Sequence, residues 1–109
     1  MSDHKKIAEL NDLCRKSSGV TCRLVQTFGI NALPEKDQSE IRENVELFND
    51  FNEDNDPYGE HDFGAIEHND QKIYWKIDYY DLDLKYGSEN PADPSQTARV
   101  LTIMLANEY

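Results

Sequence analysis

Glu60-His61-Asp62 sets an imidazole between two carboxylates, and His68 follows seven residues later. A histidine in such company can serve as a general base or as a metal ligand. In an extended segment, however, neighbouring side chains point to opposite faces, so the triplet does not converge if it is a strand. His4 is expected in a frayed helix end. Asp54-Asn55-Asp56 invites a calcium loop. Counted from Asp54, the sixth position is Gly59, but the twelfth is Ala65, where a glutamate is required. Counted from Asn52, Pro57 takes the glycine position and Phe63 the twelfth. Neither register is an EF-hand. The segment DNDPYG reads first as backbone chemistry: Asp and Asn accept from N–H groups two residues on, Pro57 fixes φ and Gly59 supplies a positive one.

Cys14 and Cys22 could pair by number, but the chain reads as cytosolic, so both are expected as reduced, buried, small hydrophobes. There is no serine elbow, CxxC, phosphate loop or glycine-rich dinucleotide turn. The expectation is therefore a protein that is not an enzyme, with no cofactor and no metal.

What remains is the chemistry of unpaired carboxylates. Between Glu35 and Asp93 there are 18 acids against five bases, whereas the rest of the chain carries four acids and six bases. Asn49 to Asp62 holds six acids and no Lys or Arg. With a net charge of −11, direct nucleic-acid binding and attraction to anionic lipid are disfavoured, and basic surfaces become the natural partners. Aromatics make up 10% of the chain, too many for a disordered acidic tail. No secretory leader and no membrane-length apolar run are read from the sequence.

These residues need a frame. The 109 residues suit one domain, spanning 1–109. Ile7, Leu10 and Cys14 recur at helical spacing and predict a helix over about Asp3 to Lys16, with Arg15 and Lys16 suiting its dipole and Gly19 ending it. Val20 to Phe28 alternates and predicts a strand. Ile41, Val45, Phe48 and Phe51 predict a second helix from Pro34 or Asp37 to Phe51, with Asp37 and Glu40 as a capping box. Its opposite face carries Glu43, Glu46 and Asp50. Asn69-Asp70 predicts a two-residue hairpin turn, pairing Glu67 with Lys72, Ile66 with Ile73 and Gly64 with Trp75. One hairpin face then carries Ile66, Ile73, Trp75, Ile77 and Tyr79, and the other Phe63, Tyr74, Lys76, Asp78 and Tyr80. Asp93-Pro94 predicts the start of a last helix, Ser95 to Asn107, apolar over most of its circumference. The expected fold is α+β, a single small domain in the order α-β-α-β-β-α, with a mainly antiparallel three-stranded sheet packed by helices.

Three blocks, DNDPYGEHDFG (Asp54 to Gly64), WKIDYYD (Trp75 to Asp81) and RVLTIMLANEY (Arg99 to Tyr109), resemble a small acidic bacterial family of unknown function, found among accessory genes of plasmids, integrative elements and phages. The resemblance carries no active site. The genomic habit it implies fits small inhibitors of host defence, of the anti-CRISPR or anti-restriction type.

The leading expectation is thus a cytoplasmic, monomeric, non-enzymatic bacterial inhibitor. Its carboxylates would stand in for phosphates against a nucleic-acid-binding protein such as a CRISPR effector complex. The candidate partner-binding residues are Glu43, Glu46, Asp50, Asp54, Asp56, Tyr58, Glu60, Asp62, Tyr74, Asp78 and Tyr80. The alternative is a regulatory module of a mobile element that binds through its aromatic hairpin face. A third reading is a cation-binding domain or hydrolase.

Overall fold

A computed structural model describes residues 3–17 and 20–109. Helix α1 (His4–Lys16) leads into β1 (Arg23–Gln26), a short helix α2 (Phe28–Asn31) and helix α3 (Glu35–Leu47). Strands β2 (Phe63–His68), β3 (Gln71–Tyr80) and β4 (Ala98–Leu105) follow, and a 3-10 turn ends the chain. The strands form one four-stranded sheet in the order β1-β4-β3-β2, with β1 parallel to β4 and the other pairs antiparallel. The α+β class holds, with one more strand than the sequence predicts.

The hairpin forms as its turn chemistry dictates. Asn69 and Asp70 both take positive φ, 50° and 66°, and the register pairs Glu67 with Lys72, Ile66 with Ile73 and Gly64 with Trp75. Gly64 is required there: a Cβ would lie 2.5 Å from the Trp75 indole nitrogen. Ile73, Trp75, Ile77, Leu101 and Ile103 form the sheet side of the core, and Cys14, Ile41 and Val45 the helix side.

The last predicted helix is a strand. Its apolar breadth comes from β4's central place, paired on both edges and partly covered on both faces, so the alternation is blurred. Arg99, Leu101 and Ile103 are buried on the core face, while Met104, on the other face, is also buried. Asp93 does not cap a helix. Its Oδ1 accepts from the Ser95 N–H and hydroxyl and its Oδ2 from Gln96, closing a turn and holding its carboxyl below the usual range.

Three further expectations are corrected. Cys14 and Cys22 are joined as a disulfide, with Cα atoms 5.3 Å apart, so neither is a free thiol. The predicted strand contracts to Arg23–Gln26, and the proposed stop at Gly19 lies outside the described residues. Helix α3 ends at Leu47, so Asp50 lies in the following loop, and Asp37 sits in the first turn without capping the helix. The reason for the early stop is tertiary. Phe48 turns extended (ψ 131°), and it and Phe51 fold edge-on against Trp75, at 5.5 and 6.1 Å between ring centroids.

Candidate functional site

The acids that dominate the charge fall into two sets. Glu43 on α3 is exposed, as are Asp50, Glu53 and Asp54 on the loop behind it; Glu46 is half-buried. Leu47 stands among them, 69% exposed. The loop beneath these acids is braced by asparagines. Asn52 Oδ1 accepts from the backbone N–H groups of Asp54 and Asn55, Asn55 Oδ1 accepts from the Asn52 N–H, and Asn55 Nδ2 donates to the Asp50 carbonyl at 2.7 Å. The bonding read from DNDPYG begins two residues earlier, at Asn52, while Gly59 takes the expected positive φ of 68°; together they fix the loop's outward acids on a braced backbone.

The second set points inward. Asp56 is 8% exposed, and its Oδ1 accepts from the backbone N–H groups of Glu60 and His61 at 3.0 and 3.1 Å. Glu60 is half-buried; His4 Nδ1 lies 2.7 Å from its Oε2, and the Tyr79 hydroxyl donates to its Oε1 at 3.1 Å. Thus His4 is not a frayed end. Asn11 Nδ2 donates to Tyr79 Oη and to the Glu60 carbonyl, and Arg99 Nε donates to Asn11 Oδ1. Burial pushes the Tyr79 phenol up and draws the Arg99 guanidinium down from its ordinary value. Half-buried Asp62 is raised by its own desolvation first and by the neighbouring Glu60 second.

His61 departs from the extended pattern with φ 56°, yet the triplet does not form one site: Glu60 meets His4 and Tyr79, while His61 meets Asp12. Its ring stacks on Phe51 at 3.9 Å and 3° between planes, and Nδ1 lies 3.0 Å from Asp12 Oδ1. The same Asp12 oxygen accepts from Arg15 Nη2 at 2.9 Å. Arg15 is 1% exposed and packs its guanidinium over Phe51 and Trp75. Its Nη1 donates to the carbonyls of Val45, Glu46 and Phe48, at 3.0, 3.0 and 2.8 Å. Arg15 therefore caps the end of α3, adding a donor to the Val45 carbonyl, which also accepts from the Phe48 N–H, and supplying one to the Glu46 and Phe48 carbonyls, rather than serving its own helix dipole. An open cleft of about 560 Å³ lies beside this group, with Asp12, Arg15, Glu46, Leu47, Phe51 and His61 in its lining.

Tyr58 is 71% exposed at the tip of the turn. Tyr74, Asp78 and Tyr80 lie half-buried on the sheet face away from the helices, where Tyr74 packs against Phe63 and Tyr109, and Asp78 Oδ2 sits 3.1 Å from Lys76 Nζ. The predicted partner-binding residues are thus dispersed: an outward ridge, an inward network and an aromatic sheet face.

Asn11, Asp12, Arg15 and Arg99 have no place in the predicted set. A signal for two of them lies in α1 itself, where Asn11 and Arg15 fall on the buried side with Ile7 and Cys14. Polar residues on an apolar helix face announce a buried network.

Among the described residues, no helix is long and apolar enough to cross a membrane. No curated protein and no solved structure matches the chain. One family model does, over residues 26–108, and that span takes in the DNDPYGEHDFG and WKIDYYD blocks. The chain belongs to the family described as "Protein of unknown function (DUF3768)".

Proposed function

We propose that this protein is a non-catalytic binding protein whose outward carboxylates dock on a basic surface of a partner that grips nucleic acid. The observation that supports this most is the division of the acids. Glu43, Asp50, Glu53 and Asp54 stand exposed on a helix and on an asparagine-braced loop, while nearby Asp56 and Glu60 are engaged inside and Asp62 is half-buried beside Glu60. Ordered carboxylates bind guanidinium and ammonium groups with less loss of side-chain freedom than mobile ones. A chain at −11 is drawn quickly and salt-dependently to positive surfaces. Leu47 supplies an apolar anchor within the ridge, the usual accompaniment of charge at an interface.

The partner class that fits is a protein whose groove normally holds a phosphate backbone. In its narrowest form the reading is an inhibitor of a bacterial defence complex, encoded on a mobile element and acting as a monomer in the cytoplasm. The Cys14–Cys22 bridge would meet a reducing pool there, but α1 is also held by Arg15 and Asn11, so its docking does not rest on the bridge alone.

The test is plating of a targeted phage on bacteria that carry defined CRISPR–Cas or restriction systems and express this protein. Restored plating that is lost in the Glu43→Gln, Asp50→Asn, Asp54→Asn variant supports the reading; restoration undiminished in that variant rejects the ridge as the interface. A second reading, docking through the sheet face around Tyr74 and Tyr80, is favoured by the place of these half-buried rings on the face away from α1 and α3 and predicts binding that added salt leaves unchanged.

A further inference from the structure

We propose that Asp37, Glu40 and His68 form a binding site for a divalent first-row transition ion, of which Zn2+ is the best match. This goes beyond the docking reading and does not depend on it. The three residues come from two elements: Asp37 and Glu40 from successive turns of α3, His68 from the end of β2. One donor atom from each lies within 4.8 Å of the other two. His68 Nε2 is 2.8 Å from Asp37 Oδ1 and 3.8 Å from Glu40 Oε2.

Those separations suit a shared ion. Donors bound at about 2.0–2.2 Å to a tetrahedral or octahedral first-row ion sit roughly 3–3.5 Å from one another. Small side-chain movements bring the three donors to that spacing. The donor set, one imidazole and two carboxylates, favours zinc or its neighbours over calcium and magnesium, which prefer oxygen alone.

A simple ion pair accounts for the group less well. His68 Nε2 faces two carboxylates, and one imidazolium would leave an excess negative charge between them. Among the described residues, neither Asp37 nor Glu40 has a lysine or arginine partner; the nearby Arg42 is committed to Glu35 and to Gln26. The imidazole is held in place, with its side chain only 9% exposed. Glu40 is half-exposed, so an ion has a route in and keeps open positions for water. Asn69, in the hairpin turn, donates Nδ2 at 3.2 Å to the same Asp37 oxygen, Oδ1, that faces His68, and so holds that carboxylate toward the imidazole. A bound ion would tie the first turns of α3 to the hairpin, at the opposite end of α3 from Arg15.

The experiment is calorimetric titration of Zn2+ into untagged, disulfide-bonded protein in 0.5 M salt, paired with melting curves and with Co2+ absorption spectra. The expected result is one saturable site per chain, a raised melting temperature and visible Co2+ bands. Glu40→Gln and His68→Gln should each weaken Zn2+ binding at least about tenfold, whereas Glu67→Gln, on the opposite face of β2, should not. Absence of saturable binding by folded protein overturns the proposal. So does binding that survives undiminished in Glu40→Gln, a substitution at a half-exposed side chain whose folding the melting curves check, and that result would assign the uptake to other carboxylates.

Discussion

Two stretches of this chain, 43–54 and 56–62, are almost equally acidic, yet their carboxylates do opposite things. In the first, Glu43, Asp50, Glu53 and Asp54 face solvent. In the second, Asp56 accepts two backbone N–H groups, Glu60 receives Tyr79 and lies against His4, and Asp62 is half-buried next to Glu60. The difference lies in what is packed behind each stretch. The second is packed against α1 and β3: His4 and Tyr79 meet the Glu60 carboxylate, Asn11 holds the Glu60 carbonyl, and Asp12 lies against the His61 ring; the first is braced by its own asparagines and needs no carboxylate for its shape. Negative charge in a sequence is thus not one signal. Where the fold supplies a partner group, as for Asp56 and Glu60, an acid contributes to stability; Asp62, half-buried beside Glu60, works against it, and the acids of the first stretch stay solvated.

The most severe way to break this comparison is to remove the cation that holds the first stretch directly and the second through Asp12 and His61. Arg15→Met takes a donor from three carbonyls and from Asp12; the Val45 carbonyl keeps the Phe48 N–H and Asp12 keeps His61, but the Glu46 and Phe48 carbonyls lose the Arg15 N–H, at about 1–3 kcal/mol apiece. Urea unfolding should show that loss. A cost under about 1 kcal/mol would mean that water replaces the guanidinium readily. Next comes Asp56→Ala, which leaves two backbone N–H groups without their acceptor and should cost about 1–3 kcal/mol by the same assay.

Asp62 sharpens the comparison through pH. Its folded carboxyl is raised above the ordinary value of 3.8. A raised acid favours the folded state when protonated, so its contribution is fully present below the unfolded value and is lost as pH rises through the folded one. Asp62→Asn should therefore stabilise the protein at neutral pH, and its advantage should vanish in acid below the carboxylate range. Thermal melts of both proteins across that window check the sign. The smallest effect on stability belongs to the outward set: Glu43→Gln, Asp50→Asn and Asp54→Asn together should move the unfolding free energy by no more than about 0.5 kcal/mol per site.

Much of the frame was legible because local rules agreed. Asn69-Asp70 has few alternatives to a tight turn, and once the turn is placed, alternation fixes every pair from His68–Gln71 to Gly64–Trp75. Strand β4 was not legible, because a central strand loses its alternation and Asp93-Pro94-Ser95 closes a turn with the same residues that start helices. The disulfide was outweighed by an argument from compartment, though its spacing permitted it. At the site, the braced turn at 52–59 could be read from its residue types. Which acids face inward could not, because that depends on α1 crossing the 56–62 segment, a contact between residues some fifty positions apart. The same holds for Asp37, Glu40 and His68, which meet only once α3 lies against the hairpin.

The most direct test sets two triple variants side by side in the phage-plating assay, each with its unfolding midpoint measured. One carries Glu43→Gln, Asp50→Asn and Asp54→Asn; the other carries Asp56→Asn, Glu60→Gln and Asp62→Asn. The account predicts that the native protein restores plating in a system it inhibits. The outward variant should lose that restoration at an unchanged midpoint, and the inward variant should shift the midpoint. Full restoration by the outward variant, or none by the native protein across CRISPR–Cas and restriction systems alike, would contradict it.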